Sequence, residues 1–286
     1  MEPVVRVDAA SCPPPAGAQT RFIRGVASGY AVKLSTAALG VLVTPFLLSR
    51  LGSRDFGVYV LLTSLIPWLA LMDLGFVPAL RIHLARELGK ARPRPELPLA
   101  VAWYGQWLVI VLVLIAGTCS APHVATFFGT GDSQTILLIQ LLTIAFAVTK
   151  LSDVFGAVLS AHQRIDLQQT GRAVQSWVRA GLIVAALMLG GELGSLGLAW
   201  IAAALAGGAW LLFRTWQLIP ARAFSPTGLE SASLTAMFSS GIWLSIGAAA
   251  GLLIVGADRA IIGRFVSLED VARFSITASL YVLAET

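Results

Sequence analysis

Of 286 residues, 57% are hydrophobic and 12% charged, against roughly 45–50% and 25% in ordinary soluble domains, which excludes water as the main solvent of this chain. The net charge of +5 comes from basic residues in short segments between apolar runs, so it does not indicate nucleic acid. Cys12 and Cys119 lack ligand spacing and His83, His123 and His162 are scattered, so neither a metal site nor a cofactor is expected.

Residues 1–22 read as a cytoplasmic, Pro-rich tail, and Pro13, Pro14 and Pro15 leave no room for an apolar signal segment. Spans are then expected at about 25–50, 55–80, 97–121, 134–161, 171–191, 193–213 and 231–257, with an eighth beginning near 270 and cut off by the C-terminus. Leu97–Ala121, Leu193–Phe213 and Ser231–Ala257 run without a single charge. In lipid each segment must satisfy its own backbone, so the expected fold class is an all-α integral membrane protein. Trp103, Tyr104 and Trp107 open the third span as headgroup anchors, and Gly197, Ala202–Ala204, Gly207-Gly208 and Gly247–Gly251 are expected to pack helices closely.

Orientation follows from Lys and Arg in the connecting segments. With the N-terminus inside, inner segments hold twelve and outer segments four, so the N-terminus is expected to be cytoplasmic. The richest inner segment carries Arg81, Arg86, Lys90, Arg92 and Arg94, a topology signal near anionic lipid or a site of phosphate capture. The sequence contains no carboxylate pair for a metal, no His-plus-acid constellation, no Walker-type loop and no large extramembrane segment, so an enzyme is not expected.

The stretch Thr44–Leu65 aligns with Asp258–Leu280 after one insertion: Arg50 with Arg264, Ser53 with Ser267, Asp55 with Glu269, Ser64-Leu65 with Ser279-Leu280. Both copies have the same orientation, which implies parallel repeats about an axis along the membrane normal. The expected organisation is a six-helix N-terminal lobe at 23–220, a cytoplasmic linker at 221–235 and the beginning of a second lobe at 236–286. That gives about eight transmembrane helices, the last incomplete, in a chain expected to be C-terminally truncated.

The segments LVTPFLLSRLGSRDFGVYVLLTSL (42–65), LMDLGFVPALRIHLAREL (71–88), LSAHQRID (159–166) and GADRAIIGRFVSLEDVARFS (256–275) resemble the polysaccharide or O-antigen flippases of the multidrug, oligosaccharidyl-lipid and polysaccharide exporter superfamily. That resemblance implies two lobes in a bacterial inner membrane. It also implies movement of polyprenyl-pyrophosphate-linked oligosaccharide to the outer leaflet for surface polysaccharide such as lipopolysaccharide. A lipid-linked substrate, contact with membrane lipids, coupling to H+ or Na+ and a monomeric complete protein follow as expectations. A drug/cation antiporter, a lipid II flippase and a non-transporting membrane fragment are the competing readings.

Five charges inside the spans need explaining, because each costs about 2.5–3.5 kcal/mol at a helix centre unless it faces a cavity or a partner. Lys33, Asp73, Lys150, Asp153 and Arg179 all lie about 7–11 residues from the inner ends, or about 10–17 Å deep. A cavity with three cations and two anions suits a pyrophosphate. Against this, Lys150 and Asp153 are spaced to neutralise each other, and Lys33 and Arg179 are long enough to reach the interface.

Overall fold

The computed structural model describes residues 18–69, 75–90, 94–219, 224 and 231–285. The helices in chain order are α1 (Ala18–Leu69), α2 (Phe76–Leu88), α3 (Glu96–Phe127), α4 (Ser133–Ala161), α5 (Ile165–Met188), α6 (Leu193–Trp216), α7 (Ser231–Phe265) and α8 (Leu268–Glu285). No strand occurs among the described residues. Among the described residues, four stretches, Ala27–Ile66, Glu96–Phe127, Ser133–Ala161 and Leu193–Trp216, are long and apolar enough to cross a membrane. Even the 24 residues of α6 extend about 36 Å, beyond the hydrocarbon thickness of a bilayer.

The long α1 is two helices joined at Gly52, whose backbone (φ 78°, ψ 171°) only glycine adopts readily. This break separates the first two expected spans. Gly52 aligns with Val266 in the internal repeat, and Val266 lies in the break between α7 and α8. Helix α1 starts at Ala18, inside the stretch read as tail, while residues 1–17 lie outside the described residues.

The second difference from expectation is α2. Residues 81–98 were expected to form a loop, yet the chain turns at Gly75 (φ 73°) and resumes as a helix through Leu88. Phe76, Val77, Leu80 and Leu84 recur at helical spacing and are buried, so the apolar stripe outweighs the neighbouring arginines. Helix α2 packs against α3, α4 and α7. Phe76 meets Phe238 with ring centroids 6.4 Å apart, and His83 Nε2 lies 3.2 Å from Ser240 Oγ. At Gly75 a side chain would run into the backbone of Gly241, so the turn and the close approach both require glycine.

Helix α6 clamps α4 and α5, with which it makes the most extensive helix contacts. Its small residues allow this: Gly197 sits against Leu141, Gly207 against Gln175 and Gly208 against Ser152. Gly247 on α7 has open space instead, so close packing does not explain that glycine. Trp103, read as a headgroup anchor, packs against other rings, 5.8 Å from Phe155 and 5.3 Å from Phe224, whereas Tyr104 and Trp107 are exposed. Phe224 thereby packs against the same core.

Asp132 caps α4, accepting hydrogen bonds from the Thr135 amide at 3.1 Å and its hydroxyl at 2.8 Å. Partial burial pushes its pKa up, but the bonds from Thr135 outweigh that and hold the carboxyl below its ordinary value. The cap therefore contributes stability above the ordinary carboxylate pKa, and that contribution is lost as pH falls through the lower folded value. Asp132→Ala is expected to cost about 1 kcal/mol near neutral pH, read from detergent-solubilised unfolding, with the deficit closing below about pH 4. A deficit independent of pH would show that the carboxylate charge is not what caps the helix. Gly75→Ala should be the more damaging change, lowering stability by about 1–3 kcal/mol through left-handed strain alone, with the clash at Gly241 adding to it.

Candidate substrate cavity

Helices α4 and α5 follow one another across a three-residue turn, but they touch little and α6 joins them from behind. The reason lies on their facing sides. On α4, Phe146, Thr149, Asp153 and Gly156 fall at intervals of three and four, one stripe of the helix; on α5, Gln168, Arg172, Gln175 and Arg179 do the same. Two polar stripes in otherwise apolar helices leave a cleft between them, with a cavity of about 340 Å³ that Trp200, Leu211 and Ile66 close. That volume lies within the range of small-ligand pockets.

Hydrogen bonds hold the walls in place. Gln175 Nε2 donates to Thr149 Oγ1 across the cleft at 3.2 Å, and the Ser160 hydroxyl bonds to Gln168 beside the turn between α4 and α5. The guanidinium of Arg179 stacks 4.2 Å over the Trp200 ring, and Trp200 Nε1 donates to Tyr59 Oη at 3.1 Å. A planar cation on an aromatic face is partly compensated for lost water while its N–H groups remain directed by the plane. Tyr59, Trp200 and Arg179 form a relay from α1 through α6 to α5.

The five residues singled out in the sequence have different positions. Arg179 and Asp153 line the cavity. Lys150 lies beside it, its Nζ 3.9 Å from Asp153 Oδ2 and 5.4 Å from the Phe146 ring centre, with its side chain 14% exposed. Lys33 is exposed, 5.9 Å over the Tyr30 ring, and does not line the cavity. Gly25 packs beside Ile165 and Gly29 beside Gln169, so α1 and α5 run parallel here and Lys33 comes level with the turn bearing Arg172. Asp73 lies outside the described residues.

Residues that were not singled out complete the site. Arg172 was counted with an inner loop because the fifth span was placed from residue 171; α5 begins at Ile165, and Arg172 stands on the cavity wall. Arg81, from α2, is within electrostatic reach of Arg172 and Asp153, and its Nε is buried without a hydrogen-bond partner. The uncharged Gln168 and Gln175 were passed over, although their spacing with Arg172 and Arg179 is the signal that defines the polar stripe. Around the cavity, among the described residues, Arg81, Lys150, Arg172 and Arg179 face the one carboxylate of Asp153. Such a surface can accept an anion through charge-assisted hydrogen bonds.

A family model described as "Polysaccharide biosynthesis protein" matches residues 22–286. The chain belongs to the polysaccharide biosynthesis protein family. No curated protein and no solved structure matches it significantly. This is a family of transporters and flippases, so the chain is a multi-pass membrane protein with a polysaccharide-related transport role. In this family member Lys150, Asp153 and Arg179 are partly buried in a helical bundle, where desolvation is costly, whereas Arg172 lines the cavity as an exposed residue.

Arg179→Met tests whether that cost is carried for stability. The variant keeps most of the apolar contact with Trp200 and removes the charge, and it is expected to unfold in detergent at the wild-type temperature or above. A fall of several degrees would identify Arg179 as a structural tie instead.

Proposed function

We propose that this chain carries a polyprenyl-pyrophosphate-linked oligosaccharide from the cytoplasmic to the outer leaflet by alternating access, supplying surface polysaccharide synthesis such as O-antigen. The observation that carries this reading is the cation excess around a half-open cavity lined in part by charged and amide side chains in a polysaccharide biosynthesis protein. Arg179, Arg172 and Lys150 supply donors to the diphosphate, with Arg81 beside them. Asp153 offsets part of their mutual repulsion when no substrate is present. Glutamine and hydroxyl groups on the walls suit the hydroxyls of the sugar. Lys33 and Asp73 are kept as proposed contacts of the substrate.

No bond is made or broken in this scheme, so the chain acts as a carrier and not as an enzyme. The twelve-to-four distribution of basic residues supports a cytoplasmic N-terminus in a bacterial inner membrane. The matching breaks at Gly52 and Val266 support a second lobe that repeats the first, with rocking of the two lobes about the cavity as the transport step. An H+ or Na+ gradient would drive it, and the complete transporter would act as a monomer. A drug/cation antiporter of the same superfamily needs a cavity dominated by carboxylates, and the charge balance around Asp153 opposes that reading. A lipid II flippase shares the diphosphate and differs in the sugar.

Replacing Lys150, Arg172 and Arg179 together with Gln should remove surface polysaccharide from cells that depend on this chain while membrane-inserted protein stays at wild-type level. Each lost charge-assisted contact is expected to lower transport by about tenfold or more. Undiminished polysaccharide from the triple variant would overturn the assignment of this cavity.

A further inference from the structure

A second cavity lies one helical turn away from the first. It occupies about 90 Å³ between α1, α3 and α4, with Leu65, Leu69, Val124 and Leu142 among its walls. Its two hydroxyl-bearing residues satisfy themselves: Thr143 Oγ1 donates to the Ile139 carbonyl at 2.8 Å and Ser120 Oγ to the Gly117 carbonyl at 3.4 Å. The lining is therefore apolar and the pocket half-open, which suits a hydrocarbon group reaching in from its rim.

Ile66 lines both cavities and packs against both of the large apolar clusters, so a single side chain forms the partition. Along α4, the polar cavity begins at Phe146 and the apolar one ends at Thr143, a separation of about 5 Å. In the proposed orientation α4 runs from the outer to the inner side, which puts the apolar cavity on the outer side of the polar one. A lipid entering from the inner leaflet has the same polarity, with its head inward and its tail directed away from the inner surface.

We propose that the apolar cavity is a subsite for the first isoprene unit of the substrate, the branched five-carbon group esterified to the diphosphate. It rests on the reading of the polar cavity as the diphosphate site. With the diphosphate against Arg172 and Arg179, the ester oxygen directs the isoprene past Ile66 into the space before Leu142. The small volume suits one branched unit, and the rest of the polyprenyl chain leaves through the open side, where Ser120 is exposed. Recognition of this unit would let the carrier distinguish a polyprenyl diphosphate from a nucleoside diphosphate sugar, which has the same anion and no hydrocarbon next to it.

The test is calorimetric titration of the detergent-solubilised chain with inorganic pyrophosphate and with dimethylallyl diphosphate. The proposal expects dimethylallyl diphosphate to bind about tenfold more tightly, the effect of burying part of a five-carbon group. Ser120→Phe and, on the next turn of α3, Val124→Phe fill the apolar cavity from its rim and should abolish the difference while leaving pyrophosphate affinity at the wild-type value. Equal affinity of the wild type for both ligands, or a difference that survives in both filled variants, as partition into detergent would, overturns the subsite and leaves the diphosphate site standing. Failure of pyrophosphate to bind the wild type at all would overturn both.

Discussion

Placing a guanidinium inside a membrane-spanning bundle is the constraint around which this lobe is built. Backbone groups in such a bundle are satisfied within each helix, so any water-accessible space has to be made by side chains. Arg179 stacks on Trp200, and Trp200 is fixed by Tyr59, so the arginine's position depends on three helices. The polar stripes of α4 and α5 do not pack on each other, and α6 provides the cohesion they lack. Gly197, Gly207 and Gly208 let α6 approach close enough to hold both neighbours while the cleft between them stays open. The packing of small residues and the existence of the cavity are two results of one arrangement.

Much of the helical organisation is legible in the sequence because lipid leaves so few alternatives. The uncharged runs Leu97–Ala121 and Leu193–Phe213 become α3 and α6 with ends displaced by only a few residues. The break at Gly52 coincides with the short Arg50–Asp55 segment, where charge and glycine coincide. Helix α2 escaped notice because Arg81 and Arg86 mark a loop when charge is weighted, whereas Val77, Leu80 and Leu84 mark a helix when spacing is weighted. A buried stripe can form beside charges that reach an interface or a cavity, and here it does.

The site was harder to read, for a related reason. Hydropathy identifies charges that interrupt spans, which directs attention to Lys150, Asp153 and Arg179 and away from glutamine. Gln168 and Gln175 carry no charge, yet they set the register of the polar face and one of them bridges the cleft to Thr149. Arg172 was lost to a helix start misplaced by less than two turns, since the turn formed by His162, Gln163 and Arg164 ends sooner than the span pattern suggests. Lys33 shows the opposite failure: counting along a span gives a level but not an azimuth, and its side chain is exposed outside the cavity lining.

The charge balance bears on what the cavity can hold. With Arg81, Lys150, Arg172 and Arg179 around it, the walls repel one another in a medium that screens poorly. Asp153, 3.9 Å from Lys150, relieves part of that repulsion and leaves a cationic remainder among the described residues. A monovalent guest would neutralise only part of the remainder, and a cationic guest would add to it. A diphosphate ester supplies several acceptor oxygens and more than one negative charge to donors such as Arg172 and Arg179, seven residues or about two helical turns apart on α5. Its entry also competes with Asp153 for the same donors.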